Sequence, residues 1–196
     1  MSLRLDQQIG FILELDTLKS VLRRSYLLNN TRRENSAEHS WHLSAMALVL
    51  AEHANVDIDQ FRVLKMLLVH DIVEIDSGDT YIYDTAGNDT KAVREQEAAQ
   101  RIFGLLPDDQ KLELTRLWQE FEARETPEAK FAAALDRLMP LLHNYHTEGR
   151  SWREHGITKQ QVLNLNRHIA DGSQSLWEYA EALIDDAAAK GYLRSS

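Results

Sequence analysis

Apolar residues return every three or four positions along nearly the whole chain, and strict alternation is missing. That period builds one buried stripe per helix and no half-buried strands. An all-α fold is therefore expected, with one short extended piece near Tyr81-Ile82-Tyr83. No internal repeat or low-complexity segment interrupts the pattern. With only 8 Gly and 3 Pro among 196 residues, long disordered linkers are not expected. The length predicts one domain over 1–196, with 150–196 as a C-terminal helical extension.

The spacing predicts a first helix over about 3–28, carrying Leu5, Ile9, Ile12, Leu15, Leu18 and Leu22, then a polar turn at Asn29-Asn30-Thr31. Asn35 with Glu38 three residues on is a capping box, opening a second helix with Leu43, Met46, Ala47 and Leu50 on its inner face. A third helix is expected from Asp57, with Gln60 as reciprocal cap, running into His70 and Asp71. A polar loop over about 76–89 holds Gly78 and Gly87. A fourth helix is expected over about 90–105. Pro107 and Thr126-Pro127 are first-turn signals for a fifth and a sixth. Two more are expected near 158–170 and 174–190, separated by Gly172. Leu176-Trp177 with Ala180 and Leu183 forms an apolar stripe that suits either a core or a dimer surface.

Three places stand out against this background: Glu38-His39-Ser40-Trp41-His42, His70-Asp71-Ile72-Val73-Glu74, and Asp136. His70 and Asp71 end the apolar run 65–69, and Asp136 follows Phe131-Ala132-Ala133-Ala134-Leu135. Titratable groups at the buried ends of helices are costly without partners. One cation between the helices would satisfy His39, His70, Asp71 and Asp136 together. Any one of these residues alone reads as a core or surface residue; the combination carries the inference. Mixed imidazole and carboxylate donors suit Mn²⁺, Co²⁺ or similar ions, with Mg²⁺, Zn²⁺, Ni²⁺ and Fe²⁺ also compatible, better than Ca²⁺. Such an ion lowers the pKa of bound water and polarises a phosphoryl oxygen.

Glu74 lies four residues after His70, so on a continuous helix both would face one side, where Glu74 serves as general base or water holder. Pro140 removes the bond to the carbonyl of Asp136 and predicts a kink there.

The net charge of −9 disfavours nucleic acid and anionic membranes as partners, so a phosphate-bearing substrate needs a local positive site. The segment 19–33 supplies one: Lys19, Arg23, Arg24, Arg32 and Arg33, with no acidic residue. Guanidinium forks match phosphate oxygens. No cysteine occurs, which removes disulfides, thiolate metal sites and cysteine nucleophiles, and fits a reducing compartment. Acidic residues break the apolar positions of the N-terminus, so it is read as neither signal peptide nor membrane span, and a cytoplasmic location is expected.

A histidine, a His-Asp pair and a distant aspartate, here His39, His70-Asp71 and Asp136, resemble the HD-domain phosphohydrolase superfamily. Residues 33–41 and 70–74, with Ser77-Gly78-Asp79 and Glu128-Ala129-Lys130-Phe131, resemble its 5′-deoxynucleotidase branch. The resemblance spans about 10–145. It implies a bundle of mainly antiparallel helices, often a homodimer, with those four residues as ligands of one divalent ion. It implies that Glu74 orients water and that Asp79 lies near the substrate sugar. It places a phosphate-binding arginine at Arg24, or at Arg23 with a one-residue shift. The family's frequent following Trp is Ser25 or Arg24 here. Two-metal relatives need further histidines after the His-Asp pair. None occurs between Asp71 and His143, so a second site of that kind is not expected. His143 and His146, after the Pro140 kink, could approach a site but read first as helix-face packing, and His42, His53, His155 and His168 have no evident chemical company beyond His42 lying one turn from His39.

The expected activity is hydrolysis of a (deoxy)nucleoside 5′-monophosphate to nucleoside and phosphate. The alternatives are hydrolysis of a nucleoside triphosphate or other small phosphate ester, and a non-catalytic metal- or nucleotide-binding sensor. The expected partners are a small nucleotide and a second copy of the chain.

Overall fold

A computed structural model describes residues 3–80, 83 and 90–194. The helices are α1 (Leu3–Glu14), α2 (Ser36–Leu50), α3 (Gln60–Val69), α4 (Glu74–Ser77), α5 (Lys91–Phe103), α6 (Asp108–Ala123), α7 (Pro127–His146), α8 (Arg150–His155), α9 (Lys159–Asn166), α10 (Ile169–Gly172) and α11 (Gln174–Ala189). The expected all-α character holds apart from one ribbon, β1 (Leu22–Tyr26) paired antiparallel with β2 (Arg33–Asn35).

That ribbon corrects the expected 3–28 helix. The α-helix stops at Glu14, a 3₁₀ segment covers Leu15–Ser20, and the chain then becomes extended. The polar turn at Asn29-Asn30-Thr31 is the reversal: Leu27 N donates to Arg32 O, and Asn30 takes φ 58°. Asparagine tolerates that left-handed conformation. Between the pairs Leu22–Asn35 and Tyr26–Arg33, three residues of β1 (Arg23, Arg24 and Ser25) stand against the single Glu34, so β1 is bulged.

The capping box of α2 forms as expected, with Asn35 Oδ1 accepting from Glu38 N and Glu38 Oε2 accepting from Asn35 N. The start of α3 moves from Asp57 to Asp59, whose carboxylate caps Arg62 N, and Gln60 instead donates to Ala47 O. Pro107 is the residue before α6, extended at ψ 148°, and not its first turn. Thr126 caps α7 with Pro127 behind it, as expected, and the helix continues through Pro140 to His146. The span near 158–170 divides into α9 and α10, and α8 lies between two left-handed glycines, Gly149 and Gly156. The extended piece near Tyr81-Ile82-Tyr83 and the glycine at 87 fall outside the described residues, Tyr83 excepted.

Helix α7 is the axis of the molecule. Ala129, Phe131 and the run 132–135 are all buried, and α2, α3, α6, α10, α11 and β1 pack against it. Gly172 lets α10 approach closely: a Cβ there would lie 2.6 Å from the carbonyl carbon of Lys130. The principal core joins Leu43, Met66, Leu67, Phe131 and Leu135 to Trp152, Ile169, Leu176, Ala180 and Ile184, so the C-terminal helices share it. Leu176 and Ala180 are thereby core residues. A second cluster joins Phe11 of α1 to Val73, Ile102, Phe103 and Trp118.

Candidate active site

His39 is fixed by position on α2, one residue past the capping glutamate, and is fully buried. Its Nε2 stands 2.9 Å from Oδ1 of Asp136 on α7. His70 caps the end of α3. Its Nδ1 donates to Leu67 O at 2.9 Å, so the lone pair of Nε2 faces Asp71 Oδ1 at 3.1 Å and Asp136 Oδ1 at 3.9 Å. The ring of Phe121 backs it at 4.7 Å. His70 Nε2 is buried and has no hydrogen-bond partner.

Glu74 is also buried here, but it opens α4 and does not continue the helix that ends at His70. The four-residue spacing is bridged by a turn, and its carboxylate meets the favourable end of a helix. Ser36 Oγ donates to its Oε2 at 2.7 Å. Burial first, then the Asp71 charge, pushes the Glu74 carboxyl well above the usual range. Asp79, past the left-handed Gly78, is raised by burial as well.

Arg23 reaches into this group from β1. Its guanidinium lies 2.7 Å from Asp71, 3.7 Å from Asp79, 3.8 Å from Asp136, 3.9 Å from Glu74 and 4.0 Å from Glu34. Burial acts to lower its pKa, but the charges of Asp71, Asp79, Glu74 and Asp136 outweigh that. Arg24 is exposed and points elsewhere, although it lines the rim of the outer cleft.

The residues fit a divalent cation. Five carboxylates crowd the Arg23 guanidinium, with Arg137 beside Asp136 alone at 3.9 Å, and buried unpaired charge is costly. A proton takes up part of the deficit. Burial and Arg23 act to lower the His39 pKa, yet the hydrogen bond to Asp136 and the Glu34 carboxylate 3.5 Å from Nδ1 carry it up to about 9. Burial pushes Asp136 up, but the His39 bond and the Arg137 charge hold it well below the carboxylate range. The tautomer of His70 is set as a ligand's is, with Nδ1 on a backbone carbonyl and Nε2 left bare. His39, His70 and Asp136 place donor atoms within 4.8 Å of one another, with Asp71 beside them.

Two clefts meet at Arg23, Asp79, Thr80 and Arg137. One is lined by His70, Asp71, Glu74 and Asp136. The other adds Tyr83, Pro140, Leu141 and Trp152. Together they offer polar groups at one end and apolar walls at the other, the usual make-up of a small-molecule site.

Sequence reasoning gave no role to Ser36, Glu34 or Arg137. Ser36 and Glu34 lie inside the stretch 33–41 that carried the resemblance. Arg137 adjoins Asp136, and burial depresses its pKa.

Residues 15–177 match the family model described as HD domain. The chain is 32% identical over 190 residues to the zebrafish (Danio rerio) protein named 5′-deoxynucleotidase HDDC2, covering 87% of this chain and 94% of that one. To the human protein of the same name it is 33% identical over 135 residues, 68% of this chain and 65% of that one. The crystal structure described as a predicted metal-dependent phosphohydrolase from Magnetospirillum magnetotacticum superposes with a TM-score of 0.94 at 54% identity, over 98% of this chain and 96% of that one.

Proposed function

The chain belongs to the HD-domain family of phosphohydrolases, and on that premise we propose that it hydrolyses deoxynucleoside 5′-monophosphates to nucleoside and phosphate. The observation that carries this reading is the convergence of His39, His70, Asp71, Asp136 and Glu74 from four helical segments onto one buried polar cluster. The relatives named 5′-deoxynucleotidase support the substrate class.

His39, His70, Asp71 and Asp136 would hold a single divalent ion, Mn²⁺ or Co²⁺ for preference, which would supply Lewis acidity at a phosphoryl oxygen and lower the pKa of water. Glu74 takes the proton from the attacking water. Its raised pKa makes it a stronger proton acceptor than an exposed carboxylate. Ser36 fixes the rotamer of that carboxylate. Arg23 turns from Asp71 to the phosphate, where its fork neutralises two oxygens, and Arg24 contributes long-range positive charge at the rim. Asp79 contacts the sugar or protonates the leaving 5′ oxygen. The apolar wall at Tyr83, Leu141 and Trp152 receives the nucleoside.

We further infer a single domain over 1–196, since Trp152 to Leu193 share the core of α2 and α3. A homodimer accords with the exposed Leu5, Ile9, Ile12 and Leu68 around one groove, and a cytoplasmic location accords with a chain that carries no cysteine. Sedimentation at micromolar concentration tests the dimer: a monomer mass removes it. Among the described residues no helix is long and apolar enough to cross a membrane. The net charge of −9 supports a small nucleotide over nucleic acid as partner.

The test is phosphate release from deoxy- and ribonucleoside mono- and triphosphates by metal-stripped protein resupplied with Mn²⁺ or Co²⁺. Release confined to deoxymonophosphates, and lost in Glu74→Gln, is expected. Release from triphosphates moves the assignment to that class. Metal binding without any release leaves a sensor.

A further inference from the structure

His39 of α2 faces Asp136 of α7. The same two helices bring together a second pair of donors. His42 lies one turn beyond His39, and His143 lies seven residues beyond Asp136, on the same helix face. Their rings are 5.9 Å apart. Glu34 of β2 closes a triangle: its Oε2 stands 3.8 Å from Nδ1 of His143, and one donor atom from each of Glu34, His42 and His143 falls within 4.8 Å of the other two.

Two of these atoms are orphans. Glu34 is 2% exposed and His143 is 4% exposed, yet neither Glu34 Oε2 nor His143 Nδ1 has a hydrogen-bond partner. The 3.8 Å between them is too long for a hydrogen bond. It is close to the spacing of two ligands on one cation, since donors about 2.0–2.1 Å from a tetrahedral ion stand roughly 3.4 Å apart. His42 is half-buried and opens this group toward solvent.

We propose that Glu34, His42 and His143 form a second divalent-cation site, distinct from the His39, His70, Asp71 and Asp136 group. Two imidazoles and one carboxylate are a donor set for Zn²⁺, with water in the fourth position. Mg²⁺ and Ca²⁺ take oxygen donors and are disfavoured. Glu34 borders both sites, for its Oε2 also lies 3.5 Å from Nδ1 of His39. A carboxylate has lone pairs enough to accept from His39 and to ligate an ion. An ion there anchors Glu34, and through it the orientation of His39.

This inference stands apart from the substrate assigned above, because it is read by counting ions. Tag-free, metal-stripped full chain is titrated with buffered Zn²⁺ alone and weighed by native mass spectrometry. The unaltered chain takes up two Zn²⁺. His42→Ala, at a half-buried position that tolerates truncation, takes up one, and adding Asp136→Asn removes the remaining one. His143→Gln, checked for fold by circular dichroism, also takes up one. An unaltered chain that binds a single Zn²⁺, or a His42→Ala chain that keeps two, overturns the proposal.

Discussion

Ser36 Oγ donates to Glu74 Oε2 across 2.7 Å of buried space, joining the first turn of α2 to the first residue of α4. The bond links the helix that carries His39 to the carboxylate proposed as base. Ser36→Ala leaves that carboxylate with Arg23 at 3.9 Å. A hydrogen bond to a charged group contributes about 1.5–3 kcal/mol. Steady-state kinetics should show kcat falling roughly tenfold with KM nearly unchanged, the mark of an interaction used in the chemical step. A kcat equal to that of the unaltered chain refutes the orienting role.

Arg23 and Arg24 should separate sharply. Arg23→Ala removes the guanidinium that reaches all five carboxylates and leaves Arg137 beside Asp136 alone. The metal-free protein should lose thermal stability, and saturating Mn²⁺ should restore part of it by binding the folded state. KM for a deoxymonophosphate should rise at least about tenfold, the loss of ~1.4 kcal/mol. Arg24→Ala should leave melting unchanged and move KM only a few-fold. Equal effects at the two positions would refute the assignment of Arg23.

His168 gives a pH signature away from the metal residues. Burial first, then the charges of Arg137 and Arg124, lowers its pKa from 6.5 to about 4, with Asp136 and Asp171 opposing. Arg124 Nη1 lies 3.3 Å from its Nε2, an arrangement that suits a neutral ring. The unfolded chain takes up this proton near pH 6.5 and the folded chain only near pH 4. Stability is therefore unaffected above the upper value and declines as pH falls through the window between them. His168→Gln keeps an acceptor and cannot titrate, so its melting temperature should fall less between pH 7.5 and pH 5. Discounting for partial exposure, the difference is about 1–2 kcal/mol. Parallel melting profiles would remove the effect.

Gly172→Ala tests the seat of α10 on α7. The new methyl meets backbone at Lys130 and Phe131, which cannot rotate away. Overpacking of this kind costs about 1–3 kcal/mol, a melting shift of roughly 3–10 °C for a chain of this size. An unchanged melting temperature would show that α7 yields there.

Much of this was legible in the residues. The capping box at Asn35, the Thr126-Pro127 start and the apolar runs before His70 and Asp136 are local signals with local causes, and they mark titratable residues set against buried helix faces. Their meeting depends on α7 running through the centre, which no local signal states. The ribbon was hidden because Leu15, Leu18 and Leu22 continue a helical spacing. Only the tertiary position of Arg23 and Glu34 makes the extended form preferable. Glu74 was placed in the right cluster for an insufficient reason, since a turn and not a helix face carries it there. His42, one turn from His39, and His143, after Pro140, were partial signals, but nothing joined them to Glu34, since the three lie 8 and 101 residues apart in the chain.

The bulge in β1 falls where two arginines adjoin in the chain. Side chains on an extended strand alternate in direction, so parity decides which of two adjacent arginines looks inward. Three residues against Glu34 give Arg23 the inward place and Arg24 the outward one. Arg23 and Ser25 take the covered side of the strand while Leu22 and Arg24 stand outward. The pleat thus splits a local run of positive charge, committing one guanidinium to the buried carboxylates and leaving its neighbour to solvent.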